Sequence, residues 1–239
     1  MKVLLGFVIA IVVIAVIVVG VLGYLGFMPG VSNLFGSNKA KELGVSFTSN
    51  DLKSARAKTG TVITDLPTDA APEDSIKFGT PRQVDATFTQ AECNALLNNH
   101  PWKYYPLKDC QLKINPDGTA EFTAILMKDR LQSAAQALGA SEDNIKVLND
   151  YLKLVPGDPA IDVVGKAGIT NNQITGIDVV DFKVGKLSFT KQVLDNESSL
   201  TNAAETLMGS ITGMNIESLQ IVNGPFHFKG TLPDVARSK

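Results

Sequence analysis

Two histidines, two cysteines and one dense aromatic cluster are the side chains of this sequence with the most chemical reach. His100 stands immediately before Pro101, where a partly cationic ring would suit the carbonyls at the end of a short helix. His227 alternates with Phe226 and Phe228, which puts it on the polar side of a strand with Lys229 and Thr231. Neither histidine has a candidate nucleophile beside it, although a triad can assemble in space from distant positions. The sequence has no G-x-S-x-G elbow, no H-E-x-x-H and no phosphate loop, and Asn115, Asp117 and Asp150 do not make a D-x-[DN]-x-[DN]-G calcium loop. The expectation is a protein that is not an enzyme, with no catalytic residue, no metal and no cofactor.

Cys93 and Cys110 allow two readings. In an oxidising compartment a disulfide between them would tie a helix to a strand, worth about 3 kcal/mol in the loop-entropy picture. Alternatively Cys93 is a core residue whether bonded or not, because Leu52 takes the equivalent place in a similar stretch upstream. Trp102, Tyr104 and Tyr105 combine apolar rings with polar tips, so they suit a glycan surface or the lipid headgroup level. The simpler reading, which we prefer, is a loop lid that closes a sheet edge.

The elements that must position these residues fall into two unlike parts. Residues 3–27 carry no charge, and 12 of these 25 are Val or Ile. As a helix of about 1.5 Å per residue they cross a bilayer with some tilt, and their length fits an uncleaved signal anchor. With Lys2 on the cytoplasmic side, the remainder lies outside the cytoplasm. Residues 39–239 carry 21 basic and 24 acidic side chains, a net of −3, with no basic run; this argues against a nucleic-acid partner. One span is too few for a single-chain channel or transporter.

Thr48 with Asp51 and Thr89 with Glu92 both read as capping boxes, each preceded by Phe and followed by an apolar staple position. Asp65 to Pro81, with three prolines and four acids, reads as a linker. Gln111–Ile114 and Thr119–Met127 flank Asn115-Pro116-Asp117-Gly118 as a hairpin. Lys128–Leu138 and Glu142–Leu154 read as helices, the second with Ile145, Leu148, Leu152 and Val155 on one stripe. Strands follow on either side of Asn171-Asn172, and the parity switch between Val179 and Val180 predicts a bulge. Glu197–Ile211 is a long amphipathic helix with Leu200, Ala203, Ala204, Leu207, Met208 and Ile211 on its apolar face. Asn223-Gly224 turns a last hairpin.

The expected fold is α+β: a transmembrane helix, then a curved antiparallel sheet packed against the 197–211 helix and shorter helices. We divide the chain into residues 1–38 (anchor and juxtamembrane linker), 39–84 (an extension with a capped helix and a Pro/acid-rich linker) and 85–239 (the main domain). The order of Phe88-Thr89 through Glu92 to Leu96, then Phe182 to Leu187, then Val222 to Gly230 resembles bacterial YpmS-type membrane-anchored proteins and, more distantly, tubular lipid-binding domains. That resemblance implies a groove for acyl chains between helix and sheet, here with Leu200, Ala204, Leu207, Met208 and Ile211 on its helical wall. Trp102 to Pro106 and residues 39–84 depart from the pattern. The expected function is binding of a lipid or other apolar envelope ligand by a domain tethered through residues 3–27. The alternative is an envelope protein-interaction module with a fully packed core.

Overall fold

The computed structural model describes residues 39–239 apart from 141, 143, 144, 147, 148, 150–156, 186 and 223. The anchor expected at 3–27 and most of the helix expected at 142–154 lie outside the described residues; of that helical stripe only Ile145 is described, and it is buried. Among the described residues no helix is long and apolar enough to cross a membrane.

The fold is α+β. In chain order it contains α1 (Ser49–Thr59), β1 (Ile63–Leu66), a 3-10 turn (Pro72–Asp74), β2 (Ile76–Phe88), α2 (Gln90–Asn98), β3 (Leu107–Ile114), β4 (Ala120–Leu126) and α3 (Lys128–Ala137). After these come β5 (Ala160–Thr170), β6 (Gln173–Val184), β7 (Leu187–Ser188), α4 (Thr190–Asp195), α5 (Glu197–Ser210), β8 (Asn215–Ile221) and β9 (Phe226–Ser238).

The sheet is mixed, which corrects the purely antiparallel expectation. Ile63–Leu66 run parallel to Val235–Ser238, while the other pairs are antiparallel. Two long strands organise it by changing partners along their length. One edge of β9 carries β2; the other carries β8 and then β1. One edge of β5 carries β6; the other carries β4 and then β8. Register shifts mark β5–β6, and Val180 is the additional residue between Val179, which faces Gly165, and Asp181, which faces Val164. Such insertions bend and twist a strand. Gly165 is required there, since a Cβ would lie 2.5 Å from the Asp178 carbonyl oxygen.

The expected linker is structural instead. β2 begins at Ile76, inside the Asp65–Pro81 stretch, and runs through the expected 84/85 boundary against β9 from Ile76↔Arg237 to Phe88↔Phe226. Prolines did not prevent this: Pro81 falls where the β2–β9 register shifts, a place that tolerates a missing N–H. Both capping boxes form, with Thr48 and Thr89 each exchanging hydrogen bonds with the acid three residues on. Their staples differ in depth: Phe47 is 39% exposed, whereas Phe88 and Cys93 are sealed in the main core.

Candidate functional site

Two helices run along sheet edges, and the second one builds a cavity. α2 lies against β3, whose outer edge would otherwise present bare peptide groups. Asn98 accepts from the Cys110 N–H at 3.0 Å and donates to its carbonyl at 2.7 Å. Asn94 repeats the exchange with Leu112 at 2.9 and 2.7 Å, and Gln90 accepts from the Ile114 N–H at 2.8 Å. Four helical residues rise about 6.0 Å and two strand residues about 6.6–6.8 Å, so amides at every fourth position meet every second residue of an antiparallel strand. The side-chain amides stand in for the peptide groups of a missing strand. The sequence held this signal, Gln90, Asn94 and Asn98 on one face of a short helix, and reading for apolar periodicity passed over it.

α5 and α4 flank β6 differently. The Ile174 N–H donates to Glu205 of α5 at 2.7 Å. Phe182 donates to the Thr190 hydroxyl of α4 at 2.9 Å and accepts from the Phe189 N–H at 2.8 Å. Between these tethers lies an apolar cavity of about 150 Å³. Its walls come from β3 and β4 (Leu112, Phe122), β5 (Val163), β6 (Ile177, Val179, Phe182), α4 and α5 (Val193, Leu200, Ala204) and the last hairpin (Ile221, Phe226). The void persists because Ala120, Gly165, Ala167 and Ala204 are too small to fill it. Its exposed wall residues are Lys166, Ala167 and Asp178, with Lys166 and Asp178 paired at 3.5 Å.

The structure divides the helical face expected to line the groove. Leu200 and Ala204 line the cavity. Met208 is packed in the main core. Leu207 and Ile211 join Ala204, Phe78 and Leu138 in a smaller cluster at the far end of α5. Ile211 also borders a second, more polar depression of about 380 Å³ shared with Phe78 and Leu138.

Trp102 and Tyr105 do not face outward, so the headgroup-level reading is corrected. Trp102 is 4% exposed and its Nε1 donates to Ser75 Oγ at 3.0 Å. Tyr105 is buried and stacks on His100 with ring centroids 4.4 Å apart. Tyr104 is half-buried, edge-on to Trp102, and Lys103 reaches the carbonyls of Thr68 and Ala70. The cluster thus clamps the 68–75 segment onto the core.

Cys93 and Cys110 are free thiols, both buried. The amide ladder joins their two elements, so docking of α2 on β3 does not need the bridge that one of the two readings offered. Burial pushes the Cys110 thiol up to about 12, against a smaller lowering from the nearby Tyr105 hydroxyl, and raises Cys93 further. Both are packing groups and poor nucleophiles at neutral pH.

His100 is not a helix-terminal cation. Burial lowers its pKa to about 3, and its enclosed Nδ1 has no partner among the described residues. The His227 Nε2–H donates to the Asp85 carboxylate at 2.9 Å on the sheet surface. Asp117 accepts from the Thr119 N–H and hydroxyl, fixing its turn. Burial opposes ionisation of Glu92, but Lys58 at 2.7 Å, Ser54 and the Thr89 N–H hold its carboxyl below the usual range. Among the described residues no group of three or more His, Cys, Asp or Glu could hold a metal ion. Compared with known proteins, the chain matches no family model, no curated protein and no solved structure.

Proposed function

We propose that this protein is a membrane-tethered, extracytoplasmic binding domain that takes the apolar part of an envelope lipid between α5 and the bent sheet. The observation that supports it is the cavity between the two tethers of β6, whose walls come from five separate parts of the fold. The uncharged 3–27 segment supplies the membrane attachment. The histidines favour binding over catalysis, one being held neutral beneath Tyr105 and the other paired with a surface carboxylate.

Size limits what enters. A dry cavity of about 150 Å³ accommodates a benzene-sized group, whereas pockets for drug-sized ligands run to roughly 300–1,000 Å³. The occupant is therefore the end of a chain, a branch or a single ring, with the rest of the molecule outside. The alternative, an interaction module for another envelope protein, called for a fully packed core, and the small size of the void is the observation on its side.

Native mass spectrometry of the full chain purified in mild detergent separates the two. The expected result is an apolar adduct that survives detergent exchange and is lost in Ala204→Leu, which places three more carbons in the cavity. Repeated preparations without any adduct favour the interaction module.

A further inference from the structure

Four residues of the cavity wall carry polar side chains: Lys166, Asp178, Glu197 and Thr201. The first two are spent on each other. They face one another across β5 and β6 and pair at 3.5 Å. Register shifts lie on both sides of this pair, between Val164 and Gly165 and between Lys166 and Gly168. A regular strand sends neighbouring side chains to opposite faces, whereas these bends let Lys166 and Asp178 border the same void as Gly165 and Val179. The field of Lys166 also reaches Asp117. With two carboxylates already about it, this ammonium has little attraction left for an anion.

Glu197 and Thr201 are unspent. They lie one turn apart on α5, a spacing that sets Cβ atoms about 5–6 Å from each other on one helix face. Both are half-buried on the cavity wall, and neither makes a hydrogen bond or ion pair among the described residues. Their neighbours on the same helix are occupied: Thr206 donates to the Asn202 carbonyl and Ser210 to the Leu207 carbonyl, each at 2.8 Å, and Glu205 holds Ile174. An acid in the first turn suits the helix dipole, which accounts for Glu197 being acidic. It does not account for an idle hydroxyl one turn further along the same wall. With Asp178 cancelled by Lys166, the wall keeps one uncompensated negative charge.

The size of the void sets how far the polar part of an occupant stands from the apolar part. A space of about 150 Å³ takes a benzene-sized group, and Glu197 and Thr201 are on the wall of that space itself. A long acyl chain entering by its tail would leave its head many bonds away and put methylenes against a carboxylate and a hydroxyl, which costs their hydration. A head attached directly to the enclosed group meets both.

We infer that the cavity selects a compact amphiphile, a single ring or short branch bonded directly to a hydrogen-bond-donating group, hydroxyl or ammonium, which Glu197 and Thr201 hold at the wall. Molecules headed by a carboxylate or phosphate are turned away by the same uncompensated charge. This rests on the proposed reading of the cavity as a ligand site, and it adds the chemistry of the group that leaves it.

Four probes with one ring in common test this: toluene, benzyl alcohol, benzylammonium and benzoate. Each is titrated into the full chain in mild detergent, and the methyl resonances of the wall residues Leu200 and Val193 report occupancy. Affinities are compared probe by probe between the unaltered protein and Glu197→Gln, so that uptake by detergent cancels. The expected result is benzylammonium weakened about fivefold or more, benzyl alcohol weakened less because the amide keeps an acceptor, benzoate unchanged or strengthened, and toluene unchanged. Constant toluene binding also shows that the variant keeps its cavity, and Ala204→Leu should abolish the response to all four. Benzylammonium that binds equally well in Glu197→Gln overturns the head assignment, and so does benzoate weakened alongside it; toluene binding then leaves the cavity reading standing. Silence of both methyl reporters toward every probe, toluene included, overturns the cavity reading and the head assignment with it.

Discussion

α2 on β3 and α5 on β6 solve the same problem, an open strand edge, with opposite chemistry. α2 places three amides at four-residue spacing and satisfies β3 at successive outward positions, which brings helix and strand into close contact. α5 and α4 hold β6 at Ile174 and Phe182, eight residues apart, and small or apolar side chains face the interval. A continuous polar ladder leaves no room beside it. Two separated tethers leave a roof over a void. The difference teaches where this fold is closed and where it keeps an apolar void.

Acid should have the largest effect, and on the α2 side. His100 titrates near 6.5 when unfolded and about 3 when folded, so its contribution is complete above pH 6.5 and is lost as pH falls toward 3. Glu92 is lowered too, so its contribution is complete above its ordinary 4.5 and is lost as pH falls through its folded value. Urea midpoints should fall steadily below pH 6, and His100→Phe, which keeps the stack on Tyr105 and removes the unpartnered Nδ1, should flatten the first part of that decline. An unchanged pH profile would place the acid response elsewhere.

Breaking the ladder comes next. Asn94→Ala strands both the Leu112 N–H and its carbonyl in a buried site, and each such group costs about 1–3 kcal/mol. A loss of about 3 kcal/mol in chemical denaturation is expected, with Asn94→Asp intermediate because it keeps the acceptor. A loss under about 1 kcal/mol would mean that water replaces the amide.

Packing sharpens the contrast. Leu96→Ala, in the close-packed α2 side, is expected near the upper part of the usual range of about 2–5 kcal/mol, and Leu200→Ala, already beside a void, near the lower part. Equal losses would indicate that the two interiors are equally filled. The smallest effect is at the α5 tether. Glu205→Ala should cost about 1 kcal/mol and speed hydrogen exchange at Ile174 while Leu112 stays protected.

Much of the local order was legible. Both capping boxes, the hairpin around Asn115–Gly118 and the 197–210 helix follow from side-chain types within a few residues of one another. Asn171 and Asn172, the pair that turns β5 into β6, both adopt positive φ, as a two-residue hairpin of right-handed strands requires. The parity switch at Val180 marked the bulge, because burial has to follow the pleat. The 65–81 stretch misled, since proline content describes local preference and says nothing of a distant partner such as β9. The fate of Trp102 and Tyr105 was equally hidden: aromatic rings suit a core or a surface, and only Ser75 and His100 arriving from elsewhere decide between them.

The sequence by itself determined the uncharged 3–27 segment, the near-neutral charge of the rest, the caps, the turns and the amphipathic period of α5, all properties that neighbouring residues carry without help. Only the tertiary structure decided that Leu200 and Ala204 roof a cavity while Met208 fills the core and Ile211 borders another cluster. A helical stripe says which side is apolar. What stands opposite each turn depends on long-range pairing, and here Ala120, Gly165 and Ala167 left space under one end of the helix and larger groups closed the other.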